Sequence, residues 1–135
     1  MVRLLKILAW LVGTYVAIVA AFETLIGVMQ PANANTLTLI TEPDTAPVAR
    51  VLARLDDGGQ LYVAANHWPR AWYRAVRGSP EVALELDGEA ERRYTAVPVE
   101  GAEHERLMAT FPHSIGFRIL TGFPPRRFLR LEPTP

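Results

Sequence analysis

Residues 56–65 read DDGGQLYVAA, and this stretch decides the fold. Two aspartates followed by two glycines are typical of a tight turn, and the apolar run at 61–65 is typical of a buried strand. We therefore predict a hairpin whose first strand is residues 48–55. The alanines and arginines of 48–55 also suit a helix, and a helix at this point would interrupt any sheet.

Two other segments, 36–41 and 82–86, alternate apolar and polar residues with a period of two, as half-buried strands do. Further strands are predicted at 91–99, after the Asp87-Gly88 turn, and at 127–131, where Leu129 and Leu131 are expected to be buried. Pro98 cannot donate a ladder hydrogen bond, so we expect the end of its strand to lie at an edge or a bulge. Short helices are predicted at 69–78, 102–111 and 113–121. The chain is therefore expected to be mainly β (α+β), a six-stranded antiparallel barrel with short helices at its ends.

A long apolar segment precedes the predicted barrel. No charged side chain occurs from residue 7 to residue 22, and only Glu23 interrupts the apolar run before Met29. A helix over 7–29 is roughly 30 Å long, about the thickness of the hydrocarbon core of a bilayer. We predict a transmembrane anchor at residues 1–30, a linker at 31–35 and the barrel domain at 36–135. Glu23 is expected near the membrane interface, because an ionised group inside the hydrocarbon is costly.

The cations around this segment predict its orientation. Arg3 and Lys6 precede the apolar run, and the next lysine or arginine is Arg50. This bias favours a single-pass protein with a cytoplasmic N terminus, while the side on which the barrel lies stays open. A cleaved signal peptide is the alternative, because Ala32-Asn33-Ala34 forms a small-x-small site.

Composition excludes several classes of function. The chain has no cysteine, and its three histidines share no ligand-like spacing, so neither disulfides nor a metal site is expected. The net charge is +0 and no basic block occurs, which argues against nucleic acid as a partner. No Ser–His–carboxylate set and no phosphate-binding glycine loop is visible, so the sequence identifies no catalytic residue.

Several short motifs occur in a recognisable order: LYVAAN at 61–66, AWYR at 71–74, SPEV at 79–82, the Asp87-Gly88 turn, GAEHERL at 101–107 and FP at 111–112. In this order they resemble the deazaflavin-dependent nitroreductase family. That family is a branch of the split β-barrel flavin-binding fold, related to the pyridoxamine-phosphate oxidases. The resemblance covers residues 36–133.

The resemblance implies an oxidoreductase that binds a deazaflavin coenzyme or flavin mononucleotide (FMN), usually between the subunits of a homodimer. Hydride would pass from the reduced ring to a quinone or a nitro compound. A membrane tether suits a lipid-soluble, quinone-like acceptor. The alternative is a coenzyme-free barrel that binds an apolar ligand or a protein partner at the membrane.

One departure from the family favours that alternative. Family members usually carry a loop rich in glycine and arginine or lysine after the first strand, and this loop holds the coenzyme phosphate. Residues 42–47 read EPDTAP here, with two carboxylates, two prolines and neither glycine nor cation. The prolines remove amide donors, and the carboxylates repel a phosphate.

Three arginines form the first candidate site. Arg70, Arg74 and Arg77 are spaced i, i+4 and i+7, so they lie along one face of the predicted helix. They form either an anion clamp for a coenzyme phosphate or a solvated stripe.

The resemblance supplies the other candidates by position. Ring-contacting residues of the coenzyme site are expected at Asn66, His67, Trp68 and Tyr73. Trp68, which precedes a proline, is equally suited to being a packing anchor. The acceptor side is expected at His113, Ser114 and Phe117. Ser114 equally suits a helix cap.

Overall fold

A computed structural model describes residues 1–29, 34–66, 71–86 and 88–135 of the chain. In chain order, the elements are α1 Val2–Val28, β1 Thr36–Thr41, β2 Val48–Ala53, β3 Leu55–Asp57, β4 Gln60–Ala65, α2 Ala71–Gly78, β5 Glu81–Glu85, β6 Arg92–Pro98, α3 Gly101–Thr110, α4 Ile115–Leu120 and β7 Arg127–Pro133. The predicted class, an antiparallel sheet with short helices, is confirmed. Asp87 of the predicted turn and positions 69 and 70 of the predicted helix lie outside the described residues.

The strands form one antiparallel sheet in the order β2-β1-β5-β6-β7-β4-β3. Its two edge strands, β2 and β3, are consecutive in the chain and are separated by Arg54 alone. The sheet must therefore curl until its two edges meet, which gives a half-barrel rather than a flat sheet.

The prediction of six strands is wrong, because the described residues contain seven. The predicted strand at 48–55 is extended, as expected, but it divides at Arg54. Residues 48–53 pair with β1, whereas Leu55 pairs with Tyr62 of β4. The Arg54 amide donates to the carbonyl of Asn35 at 2.9 Å, which satisfies the backbone where the chain changes partner.

Pro98 lies at the end of β6 that pairs on one side only, which makes this end a local edge, as predicted. Although β6 is an interior strand, its pairing with β5 ends at Thr95, and Pro98 faces only Leu129 of β7. No ladder hydrogen bond is therefore lost because Pro98 lacks an amide hydrogen.

Two apolar clusters fill the curled sheet. The larger cluster contains inward side chains of five strands, and α2 adds Trp72 and Val76 to it. The smaller cluster joins Tyr62, Val99, Leu107 and Phe128, so that α3 covers the other side of β4 and β7.

A charged network fixes α3 to the sheet. The hydroxyl of Tyr62 donates to Glu103 Oε1 at 2.7 Å, and Arg130 Nη1 donates to Glu103 Oε2 at 2.7 Å. Arg130 Nε also donates to Glu132 at 2.9 Å. The Tyr62 hydroxyl and the Arg130 guanidinium hold the pKa of Glu103 below its ordinary value of 4.5. Charge-assisted hydrogen bonds therefore stabilise this contact.

We expect Glu103→Gln to lower the free energy of unfolding by roughly 0.5–1 kcal/mol at pH 7, because the amide still accepts from Tyr62 but carries no charge for Arg130. The folded-state pKa of Glu103 lies below its unfolded value. Its stabilisation is therefore complete above about pH 4.5 and is lost as the pH falls through the folded pKa. Urea unfolding at pH 7 and pH 3 measures the difference, with the exposed Glu105→Gln as control. An equal loss at both pH values would contradict the charged contact.

Helix α1 is long and apolar enough to cross a membrane, but its C-terminal half lies against the barrel. The Tyr15 hydroxyl donates to the carbonyl of Ile119 in α4 at 2.8 Å, and the rings of Phe22 and Phe117 meet edge to face at 6.2 Å. A Cβ on Gly122 would stand 3.1 Å from Val19, so a glycine permits this close approach. The C-terminal half of α1 thus packs on the barrel, while the division into anchor, linker and barrel stays a prediction.

Candidate functional site

A cavity of about 1010 Å³ lies between α1 and one end of the curled sheet. Its walls come from positions between 15 and 29, from 50–53 in β2, from 64–66 at the end of β4, and from the start of α2. Phe117 and Gly122, in and after α4, complete them. The cavity exists because the two sheet edges meet at Arg54 and α1 covers the opening that remains.

Small and aromatic side chains give the cavity its shape. Alanines at 20, 53, 64, 65 and 71 leave room, and the side chains of Trp72 and Phe117 provide flat apolar surfaces. Trp72 is only 9% exposed and belongs to the larger core cluster, so its ring is held in place. Such a space suits a flat and mainly apolar molecule.

Two charged residues line the same cavity. Both carboxylate oxygens of Glu23 are buried, so this residue of α1 faces the protein rather than lipid. Arg50 contributes from β2, and its buried Nε finds no hydrogen-bond acceptor among the described residues. The prediction that placed Glu23 at the membrane interface did not anticipate this position, because packing of α1 on the barrel has no signal in the sequence.

A half-buried arginine, Arg126, supports the cavity wall from behind. Arg126 Nε donates to Asn66 Oδ1 at 2.7 Å, and Arg126 Nη1 donates to the carbonyl of Phe111. Its guanidinium carbon lies 4.7 Å from the centre of the Phe128 ring. Burial lowers the pKa of Arg126 to about 10, so the side chain is still a cation at neutral pH.

His113 lies next to this cation. Its ring centre is 4.7 Å from that of Phe117, and its buried Nε2 has no partner among the described residues. Burial, and then the charge of Arg126, lowers the pKa of His113 below 6.5. The imidazole is therefore neutral at pH 7.

The structure brings only some of the predicted site residues together. Asn66 and Phe117 line the cavity, and His113 lies directly behind Phe117. Ser114 caps α4, since its Oγ accepts from the Phe117 amide at 3.2 Å. Tyr73 packs against the core cluster, with its ring edge to face on Trp72 at 5.9 Å.

Two arginines of the predicted clamp are not part of this cavity. Arg74 and Arg77 are exposed on α2 and do not line it. His67, Trp68 and Arg70 lie outside the described residues, so their predicted roles remain predictions. The sequence analysis did not name Glu23, Arg50 or Arg126 as candidate site residues. The two prolines that precede Arg126 are a weak sequence signal for its position before the closing strand.

The β1–β2 turn is unsuited to a phosphate. Both carboxylate oxygens of Asp44 accept from Arg93 of β6, at 2.7 and 3.0 Å. The turn therefore presents a carboxylate that is committed to a structural ion pair. The described residues fit the ring of a flavin-type coenzyme, but they do not fit its phosphate at this turn.

Comparison with solved structures identifies the fold. The chain is similar to an F420-H2 dependent reductase, FDR-A, with 17% identity and a TM-score of 0.53 over 73% of this chain and 94% of that one. It is similar to HutZ, the heme storage protein from Vibrio cholerae, with 19% identity and a TM-score of 0.54 over 86% and 87%. An FAD-binding protein from Mesorhizobium loti has 14% identity and a TM-score of 0.53 over 75% and 80%.

These neighbours give the chain the split-barrel architecture of pyridoxamine-phosphate-oxidase-like proteins, and at such low identity they show the fold alone. No family model matches the chain. No curated protein matches it either.

We expect Arg126→Gln to raise the pKa of His113, because the substitution removes the positive charge that opposes protonation. Burial, the larger cause, remains, so the pKa stays below 6.5. An NMR pH titration of the His113 ring measures the change. Arg127→Gln, which removes an exposed neighbouring charge, is the control, and an unchanged His113 titration in Arg126→Gln would contradict the contact.

Proposed function

We propose that the protein binds a flat, mainly apolar, quinone-like molecule in the cavity between α1 and the sheet. The cavity is the observation that carries this proposal. Its volume of about 1010 Å³ is at the upper end of the usual range for small-molecule sites. The rings of Trp72 and Phe117 offer stacking surfaces.

The length of α1 beyond the cavity favours a ligand that reaches the protein from the membrane. Residues 2–14 of α1 extend beyond the cavity, about 20 Å at 1.5 Å per residue. This is less than the roughly 30 Å of a hydrocarbon core, so a crossing α1 draws the adjoining barrel surface toward the bilayer. The exposed apolar side chains of that surface are Ile115, Ile119, Leu120 and Phe123. The cavity is then next to the lipid, with the N terminus on the cytoplasmic side.

The second candidate is a reductase that holds a deazaflavin or FMN in the same cavity and passes hydride to a quinone or nitro compound. It is favoured by the position of the cavity, which borders Asn66 and the start of α2, the segments that resemble the ring-contacting part of the nitroreductase family. Several structural neighbours are named for flavin-type or heme ligands. It comes second because Asp44 occupies the turn where the resemblance would place the phosphate. The second candidate includes a homodimer. A domain-swapped dimer among the structural neighbours supports it.

Absorbance titration of the full chain with FMN and with a deazaflavin separates the two candidates. We expect no saturable binding of either coenzyme, together with saturable binding of menadione, a soluble quinone. Saturable coenzyme binding with quinone reduction would make the second candidate the function.

We expect Ala20→Phe to weaken menadione binding by at least about tenfold, because the added ring fills the cavity from the α1 side without entering the barrel core. Isothermal titration calorimetry in one detergent measures the affinity. Ala21→Phe is the matched control, since Ala21 is exposed and does not line the cavity. Equal affinities for the two variants would place the quinone elsewhere.

A further inference from the structure

We infer that Asn66 selects ligands that carry a carbonyl oxygen, and that Arg126 is the positioning residue that gives Asn66 this selectivity. The inference rests on the proposed use of the cavity and names the chemical class of its ligand. It follows from the direction in which one amide group is held.

The contact between Arg126 and Asn66 has only one chemical interpretation. A guanidinium Nε–H donates and cannot accept, so the Asn66 atom 2.7 Å away must be the carbonyl oxygen. The contact therefore distinguishes the two ends of the amide, which otherwise look alike. Asn66 lines the cavity, and we infer that its amide nitrogen, which takes no part in the contact with Arg126, presents its two hydrogens to the ligand.

Arg126 is itself held on several sides, so it fixes Asn66 rather than following it. Its Nη1 donates to the carbonyl of Phe111, and its guanidinium lies over the ring of Phe128. Its own carbonyl accepts from His104 Nε2 at 3.1 Å. Rotation of the Asn66 amide would point two N–H groups at a cation and break the 2.7 Å contact.

The surroundings of Asn66 make an oriented donor selective. Its neighbours in the wall are Ala64, Ala65, Ala71 and Trp72, which offer a ligand no side-chain hydrogen bond apart from the indole N–H. A ligand without an acceptor would leave the amide N–H groups without water and without a partner. A quinone or ketone carbonyl satisfies them, whereas a hydrocarbon of the same shape does not.

Two ligands and four variants, two at Asn66 and two at Arg126, test the inference. Menadione and 2-methylnaphthalene share a ring system and a methyl group, but only menadione has carbonyl oxygens. Asn66→Asp keeps the oxygen that accepts from Arg126 and replaces the amide nitrogen by a second, negatively charged oxygen. Asn66→Ala removes both ends and serves as the second variant. Affinities of the full chain for both ligands are measured by calorimetry in one detergent.

We expect the unsubstituted protein to bind menadione at least about tenfold more tightly than 2-methylnaphthalene. Asn66→Asp should weaken menadione binding at least about tenfold more than it weakens 2-methylnaphthalene binding. Asn66→Ala should remove the preference for menadione. Arg126→Gln should reduce the preference, and Arg126→Lys, which restores a cationic donor, should recover part of it.

An unchanged menadione affinity in Asn66→Asp overturns the inference, as does an equal loss for both ligands. In either case the cavity remains a ligand site and the proposed function stands. If the unsubstituted protein binds neither ligand, the proposed function fails and the inference fails with it.

Discussion

The chain passes from one edge of the sheet to the other through Arg54 alone, and the other features of the barrel follow from this constraint. Since β2 pairs with β1 and β3 pairs with β4, the sheet has to curl through all seven strands within about one hundred residues of chain, from Thr36 to Pro133. The curl brings positions 50–53 of β2 and positions 64–66 after β4 to the same end of the barrel. Segments at opposite ends of the strand order thereby become two walls of one cavity.

The remaining wall comes from α1, which has two different surroundings along its length. Residues 2–14 present apolar side chains outward, as a membrane segment does. Further along, the contacts of Tyr15, Val19 and Phe22 with α4 hold the helix on the barrel. Glu23 then faces the cavity instead of lipid, which explains how an ionisable residue is accommodated in an apolar helix.

Local patterns predicted most of the fold. The alternation in TLTLIT and VALEL, the DDGG turn and the position of Pro98 each depend on a few neighbouring residues, and each element formed as expected. The division at Arg54 was not predictable, because β2 and β3 differ only in their partner strands and not in local conformation. The count of six strands was wrong for that reason.

The candidate site was predictable only in part. Asn66 and Phe117 were placed by resemblance, and both line the cavity. The contributions of Glu23 and Arg50 depend on how α1 lies across the barrel, a contact between segments with no periodic signal in either. The sequence does not distinguish Arg126 from an exposed arginine. Only the fold shows that its guanidinium contacts Phe111, Phe128 and Asn66.

The position of Gly122 restricts which helix could replace α1 in a fusion protein. Gly122 has a φ of +71°, and a Cβ added to it would lie 3.1 Å from Val19. Helix α1 and the barrel therefore approach each other so closely here that even a methyl group would be crowded. A foreign apolar helix fused in place of residues 1–29 would match α1 only in its length and hydropathy. It would not reproduce that fit, so such a chimaera would keep the barrel and lose the wall that α1 contributes to the cavity.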